Sequence, residues 1–377
     1  MNGSKFGKSI NGLLVLFLFL VFIIPVVTIF FFDLRFYYIP ENEISKFYIY
    51  SLIYSTLGIL AAIIITIMFR KEERSKIPNT IRLVLGILWI VDGILQFQPE
   101  MPYGFLSVVI EPSIQAINNV GVEKFLMIGY NIWLLHPFQF DALSGSLQIF
   151  IGVVYLLNRS TKALKYISFI SIIWALVIWI FGEGLGGIPE SGVSLLTGFP
   201  GSALIYIILA VPYISLKLGN IKNLQKYFIY TVSAIFLIGG ILQLIPGNTF
   251  WTKGQLAYDI YMNINQQGEN PIVYAILNHT YVYLLFRENY INIFMFLLMI
   301  ASGLFILLHI RTGLVLATVF VGLTWLLFQD MGIYILPATD PNTGLPLLLV
   351  LVILIEIDFQ VSRKRIIREA AQGVSVT

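Results

Sequence analysis

Gly93-Ile94-Leu95-Gln96 returns as Gly240-Ile241-Leu242-Gln243, an offset of 147 residues. Pro99 and Asn131 find Pro246 and Asn278 at the same offset. Farther on, Thr197-Gly198-Phe199-Pro200 returns as Thr343-Gly344-Leu345-Pro346, and Trp179 as Trp325, now offset by 146. Landmarks spread over such a distance that drift by one position mark a tandem duplication. The expected organisation is an N-terminal segment 1–78, a first copy 79–220, a second copy 221–361 and a basic tail 362–377.

Composition says what kind of unit is copied. Of the 377 residues, 58% are hydrophobic and 11% charged, and the mean hydropathy is +0.86. A soluble domain has roughly 45–50% apolar and about 25% charged residues, so this is the chemistry of a membrane protein. The apolar runs are long enough for helices that cross a hydrocarbon core, which takes about 20 residues. The fold class expected is all-α and polytopic transmembrane. A net charge of +3, spread through short loops, gives no nucleic-acid surface. The absence of cysteine removes disulfides, thiol catalysis, iron–sulfur clusters and covalently attached haem. The run Leu13 to Phe32 is too long for a signal-peptide core and lacks a small-residue cleavage site, so it reads as a membrane helix.

Ten spans can be drawn: 11–32, 48–69, 81–98, 141–157, 163–182, 199–217, 225–245, 290–309, 312–329 and 344–359. They group as 2 + 4 + 4. An even number of spans per copy gives both copies one orientation, hence a parallel repeat. Basic residues gather on alternate loops: Arg70 to Lys76, Arg159 to Lys165, Lys217 to Lys226, and Arg363 to Arg368. By the positive-inside rule these loops and both termini are cytoplasmic, in a multi-pass plasma-membrane protein. The opposite, outer side carries two long excursions. Each holds two semi-apolar segments, 104–118 and 122–135, then 254–266 and 271–286, too short to span and expected as interfacial helices.

Several residues stand out as candidates for chemistry. Asp92 lies eleven residues into the third span, about 16 Å from its inner end. A charge there is costly unless protonated or paired, so Asp92 is either a functional acid or a hydrogen-bonded fastener. Gln96 is one turn outward on the same face, and Trp89 just under one turn inward. Gln96 and Gln243 recur at matching places, as ligand contacts or as amides that tie helices together. The segment Gly182-Glu183-Gly184-Leu185-Gly186-Gly187 ends the fifth span. Its glycines let the backbone leave the helix and approach a ligand, with Glu183 at the break, or else form an ordinary C-cap. Glu190 and Asp340 fall farther out. His136 and His279 fall in the outer excursions and His309 at the inner end of the eighth span, and no metal-ligand spacing is present. Asn278-His279-Thr280 is an N-glycosylation sequon on the outer side.

Leu134-Leu135-His136-Pro137-Phe138, then Gln148-Ile149-Phe150-Ile151-Gly152, then the basic turn Asn158-Arg159-Ser160 resemble the DoxX/DoxD-like four-helix membrane family. The likeness covers about 80–218 and, more faintly, 225–358. Two extra N-terminal helices and the fusion of two copies depart from the family pattern. The resemblance implies a membrane subunit of a quinone-linked redox system, with quinone as the cofactor, partner membrane subunits and an outward-facing site. Asp92 would then handle protons, while Glu183 and Gln96 would bind the quinone or a small anionic partner. Two other readings stay open: a small-solute or proton-coupled transporter with its site at Asp92, and a structural subunit of a larger membrane complex. Whether the chain is an enzyme is left undecided by its residues.

Overall fold

A computed structural model describes residues 41–190, 192–245, 248–267, 271–332 and 337–371, so the expected first span, 11–32, lies outside the described residues. The described chain is helical, with two isolated β-bridges and no strand. In order, α1 (Glu41–Phe69) is followed by α2 (Asn79–Leu95). Next come α3 (Met101–Gly104), a π-helical stretch Phe105–Ile110, α4 (Glu111–Gln115) and α5 (Val120–Leu135). Then follow α6 (Pro137–Leu157), α7 (Thr161–Val177) with a π-helical extension Ile178–Gly182, and α8 (Ser202–Ile214). The second half consists of α9 (Ile221–Leu244), α10 (Gln255–Gln267), α11 (Pro271–Leu307), α12 (Arg311–Leu327) and α13 (Gly344–Ala371).

Six of these are long and apolar enough to cross a membrane: α1, α6, α7 with its extension, α9, α11 and α13. They fit an integral membrane protein. Much of the apolar surface of α1, including Leu52, Leu57, Ile67 and Met68, is exposed, as a lipid-facing helix requires. Three expected spans are shorter: α2 and α12 have 17 residues each and α8 has 13. At 1.5 Å per residue α8 covers only about 20 Å. Its start is delayed to Ser202 because Gly201, at φ 97°, turns the chain just before it. The shared Thr-Gly-x-Pro motif therefore lies ahead of α8, whereas in α13 it opens the helix. At its other end α13 runs on through Arg363, Lys364 and Arg365, where the sequence suggests a separate tail; no glycine or proline interrupts that stretch.

The short helices fall where the outer excursions are expected. In α11 a single non-helical residue, Arg287 (φ −136°, ψ 16°), divides the N-terminal piece from the rest of the helix. Next to that kink Glu288 accepts hydrogen bonds from the N–H groups of Gly254, Leu256 and Ala257, capping α10 with negative charge at its N-terminus.

Close packing of α2 on α6 rests on four glycines. A Cβ on Gly93 would lie 2.7 Å from Gly145 O, and one on Gly152 would lie 2.6 Å from Gly86 O. Backbone meets backbone at two levels, the small-residue contact by which helices associate where lipid provides no hydrophobic drive. This contact fixes the height and rotation of α2, and with them Asp92 and Gln96.

The two halves grip each other through loops. Gln98 donates to Ala338 O at 2.7 Å and accepts from Ala338 N at 3.3 Å, and Gln96 donates to Thr339 O at 3.2 Å. In the other direction Asn248 donates to Val193 O at 3.1 Å, and Gln329 donates to Leu195 O and Leu196 O at 3.3 and 3.2 Å.

Candidate functional site

Where the loop carrying Asp340 crosses onto the first half, it closes a cavity of about 320 Å³. Its polar end is formed by Asp92 and Gln96 from α2, Gln148 from α6, Glu183 after α7, Tyr206 from α8, and Asp340. Aromatic and aliphatic side chains, among them Phe105 from the π-helical stretch and Tyr130 and Trp133 from α5, form the rest. Both π-helical segments, Phe105–Ile110 and Ile178–Gly182, contribute lining residues. Such segments displace side chains from helical register and are frequent at functional sites. The rim includes Ile132, Leu143 and Val177, apolar side chains 50%, 50% and 38% exposed. The opening thus faces the apolar surroundings of α6 and α7.

Glu183 is held by its surroundings. Its Oε1 accepts from Ser202 Oγ and, at 3.0 Å, from Ala203 N, so it caps α8. Gln329 does the corresponding job for α13, accepting from Gly344 N at 2.8 Å. Trp179 and Trp325 likewise each donate to a backbone carbonyl of the following loop, Pro200 O and Pro341 O, at 2.8 Å. An amide suffices as a cap at α13; the acid at α8 is surplus to that role. Burial raises the pKa of Glu183, and the nearby Asp340 carboxylate raises it further. Asp340 is raised too, chiefly by burial. Burial thus favours the protonated form of both loop carboxyls and lifts Glu183 to about 8.

Polar atoms without partners converge here. Asp92 Oδ1, Gln148 Oε1, Trp174 Nε1, Glu183 Oε2 and Tyr206 OH are buried, make no hydrogen bond, and belong to residues lining this one cavity. The Tyr206 hydroxyl neighbours Asp92 without reaching hydrogen-bonding geometry. Native proteins leave few buried polar atoms unpaired, so five around one cavity mark it as a place where water or a ligand hydrogen-bonds.

The sequence candidates separate in space. Asp92, Gln96 and Glu183 meet at the cavity. Trp89 stands behind it: its indole donates to Ser171 Oγ at 2.9 Å, and its ring meets Tyr206 edge-on at 4.8 Å, so it positions Tyr206 and does not line the site. Gly184 (φ 54°) serves the turn that follows Glu183 and is not in the lining. Gln243 is not in this lining either. It lies in the other half, with its side chain occupied by Ser194 Oγ and Asn292 Oδ1. Three carboxyls and, among the described residues, no lysine, arginine or histidine line the cavity, so it offers no cation to a small anionic partner. Gln148 is open to the criterion that selects Gln96, a polar side chain inside a span. Tyr206 and Trp174 carry no such signal, and Asp340 reaches the site only because its loop folds back.

The helices fit an integral membrane protein, and its first half holds a mostly apolar cavity with one polar end. No family model matches the chain, and no curated protein or solved structure is similar to it.

Proposed function

We propose that this chain is a ten-span plasma-membrane protein, built 2 + 4 + 4 from two parallel copies with cytoplasmic termini, that holds the headgroup of a membrane-soluble quinone. In this reading it is a quinone-binding subunit of the DoxX/DoxD-like kind, its cavity filled from the outer leaflet. The carrying observation is the cluster of five unpartnered polar atoms at the end of a cavity with an apolar rim. A quinone ring offers two carbonyl acceptors, suited to Trp174 Nε1 and the Tyr206 hydroxyl, while its isoprenoid tail suits the rim. Reduction to quinol takes two electrons and two protons. The electrons would come from a partner redox subunit, and the protons, one for each quinone oxygen, through Glu183, Asp340 and Asp92.

The copies support this assignment by their differences. At the repeat offsets, Asp92, Glu183 and Tyr206 correspond to Gly239, Gln329 and Val352, and Asp340 corresponds to Ser194. Scaffold contacts recur, and Gln96 recurs as Gln243, while the cavity's acids and Tyr206 occur once. That is the pattern of one functional site on a duplicated frame.

The test is quenching of tryptophan fluorescence by a short-chain benzoquinone in the purified protein in nanodiscs. Saturable binding is expected, weakened roughly tenfold by Trp174→Phe or Tyr206→Phe, the loss of one buried hydrogen bond. No saturable binding, or binding indifferent to both substitutions, overturns the reading. Proton-coupled solute transport is the second reading, favoured by the same three acids; solute-driven proton uptake into proteoliposomes without quinone binding would select it.

A further inference from the structure

A second cavity, of about 230 Å³, lies at the opposite end of the first half, on the side of the basic loops. Arg74, Arg82 and Arg159 line it together with Ser75, Asn79 and Tyr213. Its walls are fixed by the pairing of two loops. Ser75 N donates to Arg159 O at 2.9 Å, Thr161 N donates to Glu73 O at 2.8 Å, and Arg74 bridges to Ser160. These bonds bring Arg74 and Arg159, far apart in sequence, to one rim.

Arg82 forms the floor and is only 4% exposed. One edge of its guanidinium is explained by the fold. Nη1 donates to Tyr155 O and Leu156 O, the last carbonyls of α6, and Nε donates to Asn79 Oδ1 at 2.8 Å. Its charge has no such explanation. Among the described residues no carboxylate pairs with Arg74, Arg82 or Arg159, and none lines the cavity. Of the two acids of the same loop, Glu72 is bound to Lys162 at 2.8 Å, and Glu73 is exposed and pairs with none of the three arginines. The Tyr213 hydroxyl is the second group: its residue is 7% exposed, lines this cavity beside Arg82, and the oxygen makes no hydrogen bond of ordinary geometry.

Three arginines with no acid, a buried hydroxyl without a partner and a hydroxyl-bearing rim at Ser75 form a receptor for a compact, multiply accepting anion. Guanidinium forks match the oxygens of a phosphate, and basic pockets between membrane helices on the inner face take up phosphate headgroups. We infer that this cavity binds a phosphate group, as the headgroup of an anionic phospholipid or as a free phosphate anion. In the orientation proposed above the site faces the cytoplasm. The inference is independent of the quinone reading, since the two cavities share no residue.

The experiment uses the full-length protein, delipidated in detergent and followed by thermal unfolding and native mass spectrometry. Inorganic phosphate, phosphatidylglycerol and uncharged diacylglycerol are titrated separately. Saturable stabilisation by phosphate or phosphatidylglycerol is expected, weakened roughly tenfold or more by Arg74→Gln with Arg159→Gln, which lie on the exposed rim. Tyr213→Phe supplies the second readout. If Tyr213 is mere packing, losing an unpaired hydroxyl leaves binding untouched; the phosphate site requires weaker binding. A response to inorganic phosphate alone assigns a free anion, and a response to phosphatidylglycerol alone assigns a lipid headgroup; both support the site. No arginine-dependent response to either, or an equal response to diacylglycerol, overturns it.

Discussion

Replacing Gly93 with alanine should loosen α2 from α6. The new methyl would lie 2.7 Å from Gly145 O, 2.7 Å from Ile149 Cγ1 and 2.9 Å from Ile149 N. Two of those three are backbone atoms that cannot swing aside, so the helices must part by a few tenths of an ångström. Overpacking of this kind costs roughly 1–3 kcal/mol. Gly240, the matching position, is a control of different chemistry. There the methyl meets Ile300 Cδ1 at 2.6 Å, the end of a side chain that can rotate, so Gly240→Ala should cost less than about 1 kcal/mol. A methyl group on Gly322 would have nothing within 4 Å, and Gly322→Ala should be neutral or stabilising by up to about 1 kcal/mol. Reversible unfolding in mixed micelles would rank the three. Because Asp92 and Gln96 flank Gly93 on α2, quinone binding should weaken in Gly93→Ala alone. If Gly93→Ala is no less stable than Gly240→Ala, the backbone contact between α2 and α6 is refuted.

Glu183→Gln should keep the α8 cap, as Gln329 does for α13, whereas Glu183→Ala should cost roughly 0.5–2 kcal/mol by unfolding measurements. The raised carboxyls of Glu183 and Asp340 bind protons that the unfolded chain releases, so their contribution is complete below the ordinary carboxyl range. It is lost as pH rises through their folded values; Glu183→Gln with Asp340→Asn should flatten stability against pH there. Asp259 behaves alike on a smaller scale: burial, with the Glu288 charge, lifts it from 3.8 to about 6. Its contribution should fade as pH climbs across that window, and Asp259→Asn should abolish that slope. Glu288→Ala removes the cap on α10 and should speed hydrogen exchange at Leu256 and Ala257. Tyr206→Phe deletes a hydroxyl with no partner, so folding stability should hold or rise while quinone affinity falls; a loss of stability instead would make Tyr206 structural.

Local patterns in the sequence disclose the helices and hide the closures between them. The gap drawn between 286 and 290 coincides with the kink at Arg287, because a change from mixed to continuous apolar character is a local signal. Asp92 and Gln96 can be placed on one face because a helix puts i and i+4 side by side. Glu183 stands out for its glycines. The length of α8 is not legible: whether Thr-Gly-x-Pro begins a helix or precedes one depends on Gly201 at φ 97°. Asp340 reads as an outlying acid because nothing local reveals that Gln96 and Gln98 hold its loop from more than two hundred residues away. The four glycines between α2 and α6 are legible in principle: Gly86 and Gly93 are seven residues apart, as are Gly145 and Gly152, and equal spacing on neighbouring helices is a small-residue seam.

The loops that cross between the halves bear on how such a chain could arise. Asp340 is delivered to the first cavity by the second half, and Gln98 secures it there. On the proposed duplication, a single-copy ancestor could complete its pocket only by pairing with another molecule, each lending a loop to its neighbour. Fusion would join that swapped dimer at the Leu216–Gly219 turn and release its two halves from having to be identical. One could then keep its acids while the other became scaffold. Severed at that turn, the fragments should be obligate partners, neither able to form the Asp92 cavity alone.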